Sequence, residues 1–272
     1  MKVTVVGNLK AQATRAFIAA VLGVAAFAAL AAGSDARPAA CPAPTSAAQS
    51  RDGPTPYPAD EAAWPGKGVI RTFGWMTDNR KSFWKRRAED RCAVVFVGDS
   101  LIGGWSTLKA DFPSLKVANR GIGGDVSRGV RFRLQEDVLD LAPKAVVLLV
   151  GTNDLSTRQD VGITASNIES IVDEIDRAKP GTPVVLLNVL PRNDPNSRID
   201  ANEVPKLNRL LASLATAHPS VTLVDTNAAF IGADGQQDTR LFKPDQLHLA
   251  PDGYVRLRDT VAPALAKLKV SE

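Results

Sequence analysis

Two residues in the 272-residue chain could together perform nucleophilic chemistry, Ser100 in "VGDSLIGGW" and His248 in "DQLH". A serine hydroxyl is a poor nucleophile at neutral pH, so it needs a base within hydrogen-bond reach and a third group to orient that base. Only two histidines are present, His218 and His248. His248 follows Asp245 by three residues in a loop-like stretch. At that spacing the carboxylate can fold back onto one imidazole nitrogen and leave the other free to take a proton. His218, in "TAHPS", stands where a helix should end before Pro219. A cationic side chain suits that end, and it reads as a helix-end residue. Ser100 has a rival reading as a turn residue and helix N-cap, because Asp and Ser after Gly are common there.

The elements that would position these residues show in the hydropathy pattern. Short apolar runs occur at 93–97 ("AVVFV"), 115–119, 145–150, 183–189 and 221–225. They alternate with amphipathic stretches near 126–141, 162–179 and 200–217, and a last helix is expected near 252–268. Segment 75–90 also has a helical pattern, with Trp75, Phe83 and Trp84 as anchors. Continuous Val/Leu strands separated by helices predict a parallel sheet covered on both faces, an α/β fold built as a three-layer α/β/α sandwich. Ligands of such sheets sit beyond the carboxyl ends of the strands. The polar groups obey that rule. "GDS" (98–100) ends the first run, "NRGIGGD" (119–125) the second and "GTND" (151–154) the third, while "DQLH" (245–248) follows the fifth.

Taken alone, "GTND" could be a turn in which Asn153 satisfies local backbone. The glycine block fails the dinucleotide fingerprint, since Val126 stands where the third glycine belongs. No phosphate-cradling GxxxxGK[ST] occurs, which counts against a flavodoxin-like nucleotide or receiver module. No Cys/His cluster has metal-ligand spacing, so neither a metal nor a cofactor is expected.

Composition is ordinary for a globular protein, 44% hydrophobic and 23% charged, at a length that suits one or two domains. Residues 1–36 resemble an export signal: Lys2, Lys10 and Arg15 precede "FIAAVLGVAAFAALAAG", and small residues allow cleavage after Ala32 or Ala36. An uncleaved anchor is the alternative. The chain carries +4, and this segment, with Asp35, a net +2. The mature chain would therefore be only mildly basic, which argues against a nucleic-acid partner. Basic runs such as Lys85-Arg86-Arg87 read as a solvated helix face. A periplasmic or secreted location follows as an expectation, with membrane contact only if the segment stays uncleaved. Residues 37–74, rich in Pro and Ala, read as a linker or loosely attached arm before a domain at 75–272. In an oxidising compartment Cys41 and Cys92 could form a disulfide, or Cys92 could be a buried thiol. Cys41 lies too far beyond the apolar run, without a Leu three residues earlier, to read as a lipid attachment site.

The four ordered groups, "GDSL" (98–101), "NRGIGGD", "GTND" and "DQLH", resemble the SGNH (GDSL-type) hydrolase family of esterases and lipases over about residues 93–268. "VLPR" (189–192) is similar to the branch holding platelet-activating-factor acetylhydrolase-like enzymes and bacterial carbohydrate acetylesterases. The resemblance implies a flavodoxin-like five-stranded parallel sheet and a serine esterase acting in two steps through an acyl-enzyme. It implies Ser100 as nucleophile, His248 as base and then acid, and Asp245 as the group orienting His248. The oxyanion hole would comprise the backbone N–H groups of Ser100 and Gly124 and the side-chain amide of Asn153, with Asp99 bracing the turn. The implied substrates are short-chain esters, O-acetyl groups on saccharides first, with lysophospholipids or short-chain lipid esters as the alternative. A non-catalytic glycan-binding protein on the same fold would have lost a catalytic position, and none is lost. Trp105 and Trp75 could stack on sugar faces or pack in the core.

Overall fold

The computed structural model describes residues 41–43, 51–193, 199–200 and 202–268. The export-type segment and parts of the arm lie outside them. Five strands, β1 (Val94–Gly98), β2 (Val117–Gly121), β3 (Ala145–Leu149), β4 (Val184–Leu187) and β5 (Val221–Val224), form one all-parallel sheet in the order β2-β1-β3-β4-β5. The order reverses between β1 and β3, and this switch point is where ligands of doubly wound sheets bind.

The helices are α1 (Gly74–Lys85), α2 (Ser100–Gly103), α3 (Leu108–Asp111), α4 (Ser127–Asp137), α5 (Thr152–Ser156), α6 (Val161–Ala178), α7 (Glu203–Ala217), α8 (Thr226–Ala229) and α9 (Pro251–Lys267). Successive strand side chains point to opposite faces, so each apolar strand feeds two cores. Val95, Val97, Val146 and Leu148 pack with Leu134 of α4, Ile168 and Ile171 of α6 and Leu207 and Leu211 of α7. Phe96, Val147, Leu149 and Val185 pack on the other face with Leu101 and Ile102 of α2 and Leu257 and Val261 of α9. Three layers result, as the alternation predicts.

Two boundaries differ from the expected ones. The second strand runs two residues later than the 115–119 run, because pairing with β1 continues to Gly98↔Gly121. Arg120 can stay buried there because Asp90 accepts from it at 2.7 Å. The helix expected over 75–90 ends at Lys85 and turns Trp75 outward, 53% exposed, while Met76, Phe83 and Trp84 are its buried anchors.

Residues 51–73, expected as a loose arm, are packed on the domain. Trp64 is buried and stacks on Tyr57, and both rings meet Phe132. Polar side chains of the domain bind the arm's backbone: Arg128 donates to the Pro65 and Gly68 carbonyls, Asn167 to the Lys67 carbonyl, and Gln159 accepts from the Val69 N–H. Of the two fates open to the cysteines, the structure has the disulfide, joining Cys41 to Cys92 just before β1.

Candidate active site

Ser100 is the first residue of α2, directly beyond β1. The cap of that helix is Asp99, whose carboxylate accepts from the Leu101 N–H at 2.9 Å. The capping role that competed for Ser100 is thus filled by its neighbour, and the serine hydroxyl is left for other work. The strand-to-helix turn is tight: a Cβ on Gly98 would run into the Leu149 carbonyl of β3, so no larger residue fits.

A hydrogen-bonded chain leads away from the hydroxyl. Ser100 Oγ lies 3.0 Å from His248 Nε2, and His248 Nδ1 lies 2.7 Å from Asp245 Oδ2. Asp245 Oδ1 also accepts from the backbone N–H groups of Leu247 (3.0 Å) and His248 (2.9 Å). The three-residue spacing therefore folds the carboxylate back onto its own histidine. Burial alone would raise the Asp245 carboxyl, but the hydrogen bonds from the His248 ring and the two backbone N–H groups outweigh it and hold it at about 2. Asp245 is an anion at any ordinary pH, so the imidazole presents an N–H on Nδ1 to it and turns Nε2 to the Ser100 hydroxyl.

The other sequence-selected residues gather beside this chain. Ile122 to Asp125 form a turn, closed by the Asp125 N–H on the Ile122 carbonyl at 3.2 Å, with Gly124 at φ +82°. Asn153, buried in α5, donates from Nδ2 to the Asp125 carbonyl at 2.9 Å. Among the described residues, the backbone N–H groups of Ser100 and Gly124 take no backbone carbonyl as partner. Asp154 of "GTND" accepts from the Ser127 N–H and hydroxyl and from Gln159, tying the start of α4 to α5. Burial pushes its carboxyl up to about 6, against those hydrogen bonds.

Arg133 and Arg71 carried no signal in the motifs, yet both bear on the site. Buried Arg133 donates to Asp125 (2.7 Å), to Asp137 (3.2 Å) and to the Gly98 carbonyl (3.0 Å), joining the serine turn to the glycine turn. Arg192 of "VLPR" donates to the Thr152 carbonyl at 3.1 Å. Arg71 of the arm donates to Asn153 Oδ1 at 3.3 Å. Trp75 donates from Nε1 to the Gly123 carbonyl at 2.9 Å and stacks on exposed Phe73, ring centroids 4.4 Å apart. Trp105 is core: it is 1% exposed, packs against Phe96 and Phe112, and donates to Asp111 at 2.7 Å. His218 caps α7 and bonds the Leu214 carbonyl and Asp173, away from Ser100. A cavity of about 380 Å³ between residues 52–57 and α1 involves none of the candidate residues.

Residues 96–256 match the model of the GDSL-like Lipase/Acylhydrolase family. Platelet-activating factor acetylhydrolase IB subunit alpha2 from Bos taurus is 35% identical over 171 residues, which cover 60% of this chain and 72% of that one. The solved structure of a GDSL-like lipase from Bacteroides thetaiotaomicron is similar at a TM-score of 0.60 and 26% identity, covering 68% of this chain and 97% of that one. An acetylxylan esterase from Geobacillus stearothermophilus shares the fold at a TM-score of 0.50 and 21% identity, over 65% of this chain and 93% of that one.

Proposed function

The chain belongs to the GDSL-like lipase/acylhydrolase family and is a carboxylic ester hydrolase, and on that premise we propose that Ser100, His248 and Asp245 are its catalytic triad and that short acyl esters are its substrates. The observation that carries the proposal is the unbroken chain from Ser100 Oγ through both imidazole nitrogens to a carboxylate held ionised.

In the first step Ser100 Oγ attacks the ester carbonyl and its proton passes to His248 Nε2. The carbonyl oxygen becomes an anion, stabilised by the Ser100 and Gly124 N–H groups and the Asn153 amide. Collapse breaks the bond to the alcohol, which leaves with the proton from His248. Water then enters, gives its proton to His248 and attacks the acyl-serine; the acid departs and Ser100 regains its proton. Asp245 stays ionised throughout and stabilises the imidazolium formed twice per cycle.

For the substrate we favour acetyl esters of saccharides. The 35% identical relative is named an acetylhydrolase, which supports the acyl part. The exposed, stacked pair Phe73–Trp75 beside Gly123 offers a flat apolar face suited to a sugar ring, which supports the alcohol part. Export is proposed from the basic, apolar and small-residue order of residues 1–36, and the Cys41–Cys92 disulfide agrees with an oxidising compartment.

The test is turnover of p-nitrophenyl esters and acetylated saccharides. Ser100→Ala and His248→Ala should each abolish it, and acetyl should be preferred to butyryl and longer chains. Near-wild-type turnover by Ser100→Ala would remove the serine from its role, and a preference for long acyl chains would move the substrate to lipid esters.

A further inference from the structure

Arg71 of the arm and Trp75 at the start of α1 hold the acceptor ends of the two amide groups whose donor ends face the proposed oxyanion. The Gly123 carbonyl and the Gly124 N–H belong to one planar trans peptide and point in opposite directions. That peptide is the central one of the Ile122–Asp125 turn, and the positive φ at Gly124 makes the turn type II. Type I and type II turns differ by rotation of this one peptide, and with glycine on both sides neither conformation meets a steric barrier from a Cβ. Rotated, the peptide would aim a carbonyl dipole where the donor should be. Trp75 Nε1 donates to the Gly123 carbonyl at 2.9 Å, and the Phe73 ring lies against Gly124, where a Cβ would meet it at 3.3 Å. Both contacts favour the donor-in state.

Asn153 is held by the same logic. A guanidinium only donates, so Arg71 on Oδ1 at 3.3 Å admits only the amide oxygen at that end. The amide nitrogen is thereby turned to the Asp125 carbonyl at 2.9 Å, which takes one of its two N–H bonds and leaves the other for the hole. Arg71 and Trp75 are four residues apart in one stretch, and both lie outside the family-matched residues 96–256.

We infer that the strap Arg71–Trp75 is a clamp on the oxyanion hole: Arg71 and Trp75 are positioning residues that fix the Asn153 amide and the Gly123–Gly124 peptide with their N–H groups inward. The inference rests on the assignment of Ser100, Gly124 and Asn153 proposed above. A clamp of this kind acts on the transition state and not on the bound ester, so its loss lowers kcat and spares KM.

The experiment compares Trp75→Phe, which keeps the ring and removes the N–H, with Arg71→Met and Arg71→Lys, on p-nitrophenyl acetate. Because Trp75 is exposed, Trp75→Phe should fold and melt as wild type, and it carries the test should Arg71→Met fail to fold. Trp75→Phe and Arg71→Met should each lower kcat by roughly 10-fold, less than the 100- to 1000-fold typical of deleting a donor outright, with KM nearly unchanged. Arg71→Lys, which keeps a donor, should recover most of the loss. Affinity for a small boronic acid, which forms a tetrahedral adduct on a reactive serine, should fall by the same factor as kcat. Wild-type kcat and boronate affinity in both variants, with Ser100→Ala inactive, overturns the clamp and leaves the triad standing. A rise in KM for p-nitrophenyl acetate, which has no sugar ring to stack on Trp75, at constant kcat also overturns it, since the strap would then act by binding the ester and not by setting the donors. Full activity in Ser100→Ala strikes the underlying assignment itself.

Discussion

Asp99 and Ser100 are adjacent in the chain and differ in what they need from their surroundings. Ser100 needs a free hydroxyl and a base, while Asp99 is fully buried with one carboxylate oxygen on the Leu101 N–H and the other without a partner. Burial, followed by the nearby carboxylates, raises its pKa from 3.8 to about 7, with the Leu101 N–H as a partial counterweight. The folded protein therefore keeps a proton that the unfolded chain releases near pH 4. This contribution to stability is whole below that point and is lost as pH rises through 7. We expect wild type to lose stability between pH 4 and 8 by an amount to which Asp99 adds up to about 4 kcal/mol, and Asp99→Asn to lose less over the same range in urea melts. Equal losses in the two proteins would refute the assignment. Asp245 is the opposite case. Its carboxyl stays ionised to about pH 2, so it does not limit activity on the acid side, and Asp245→Asn should cut kcat by roughly 1,000-fold or more at every pH tested. Asn153→Ala should lower kcat by roughly 100- to 1000-fold with the fold intact and a somewhat lower melting midpoint, since the Asp125 carbonyl loses its donor; unchanged turnover would take Asn153 out of the hole. At this scale the sequence was most readable where a residue type is scarce. With two histidines, one of them at a helix end, His248 stood out, whereas the choice between Asp99 and Ser100 as cap could be made only from the hydrogen bond to Leu101.

Among the elements, β1, β3 and β4 were legible because each is an unbroken apolar run buried throughout, and the end of β2 was not, because "NRG" is polar and is held by pairing with β1, by the Asp90 ion pair and by the bonds of Asn119 with Arg86 and the Ile102 carbonyl. The arm was the element composition described least well. Its Pro and Ala content has little to bury, but a few anchors suffice: Tyr57 and Trp64 supply the rings, and Arg128, Gln159 and Asn167 of the domain satisfy the backbone. A window of the arm alone contains none of those partners. Arg71 was invisible for the same reason, since its partner Asn153 lies 82 residues away. Arg128→Met strands the Pro65 and Gly68 carbonyls and should lower stability by about 2–4 kcal/mol. Limited proteolysis should then cut within residues 51–73 before the domain; wild-type resistance there would show that the rings alone hold the arm.

For the whole molecule, the sheet order explains why motifs scattered over 151 residues, from Gly98 to His248, meet at one place. β1 and β3 flank the reversal point, so "GDS" and "GTND" emerge side by side, and the next strand out brings the glycine turn. The alternation in the sequence foretold the edge on which these groups lie, though not their order across it, which depends on how the connections wind. The disulfide adds a second long-range closure, spanning 51 residues from the arm to the start of β1. Replacing both cysteines with serine should lower stability by about 2–4 kcal/mol, read as a shift in the denaturant midpoint, and a reducing agent should act on wild type but not on the double variant.

The polar side chains that receive the arm, Arg128, Gln159 and Asn167, all sit inside the family-matched block, while the backbone they bind at residues 65–69 sits outside it. The block is therefore not a modular part. Transplanted into a relative whose upstream segment follows another path, it would carry three vacant sockets, and a chimera joined at the limits of similarity would begin with a defect that no motif in either parent records.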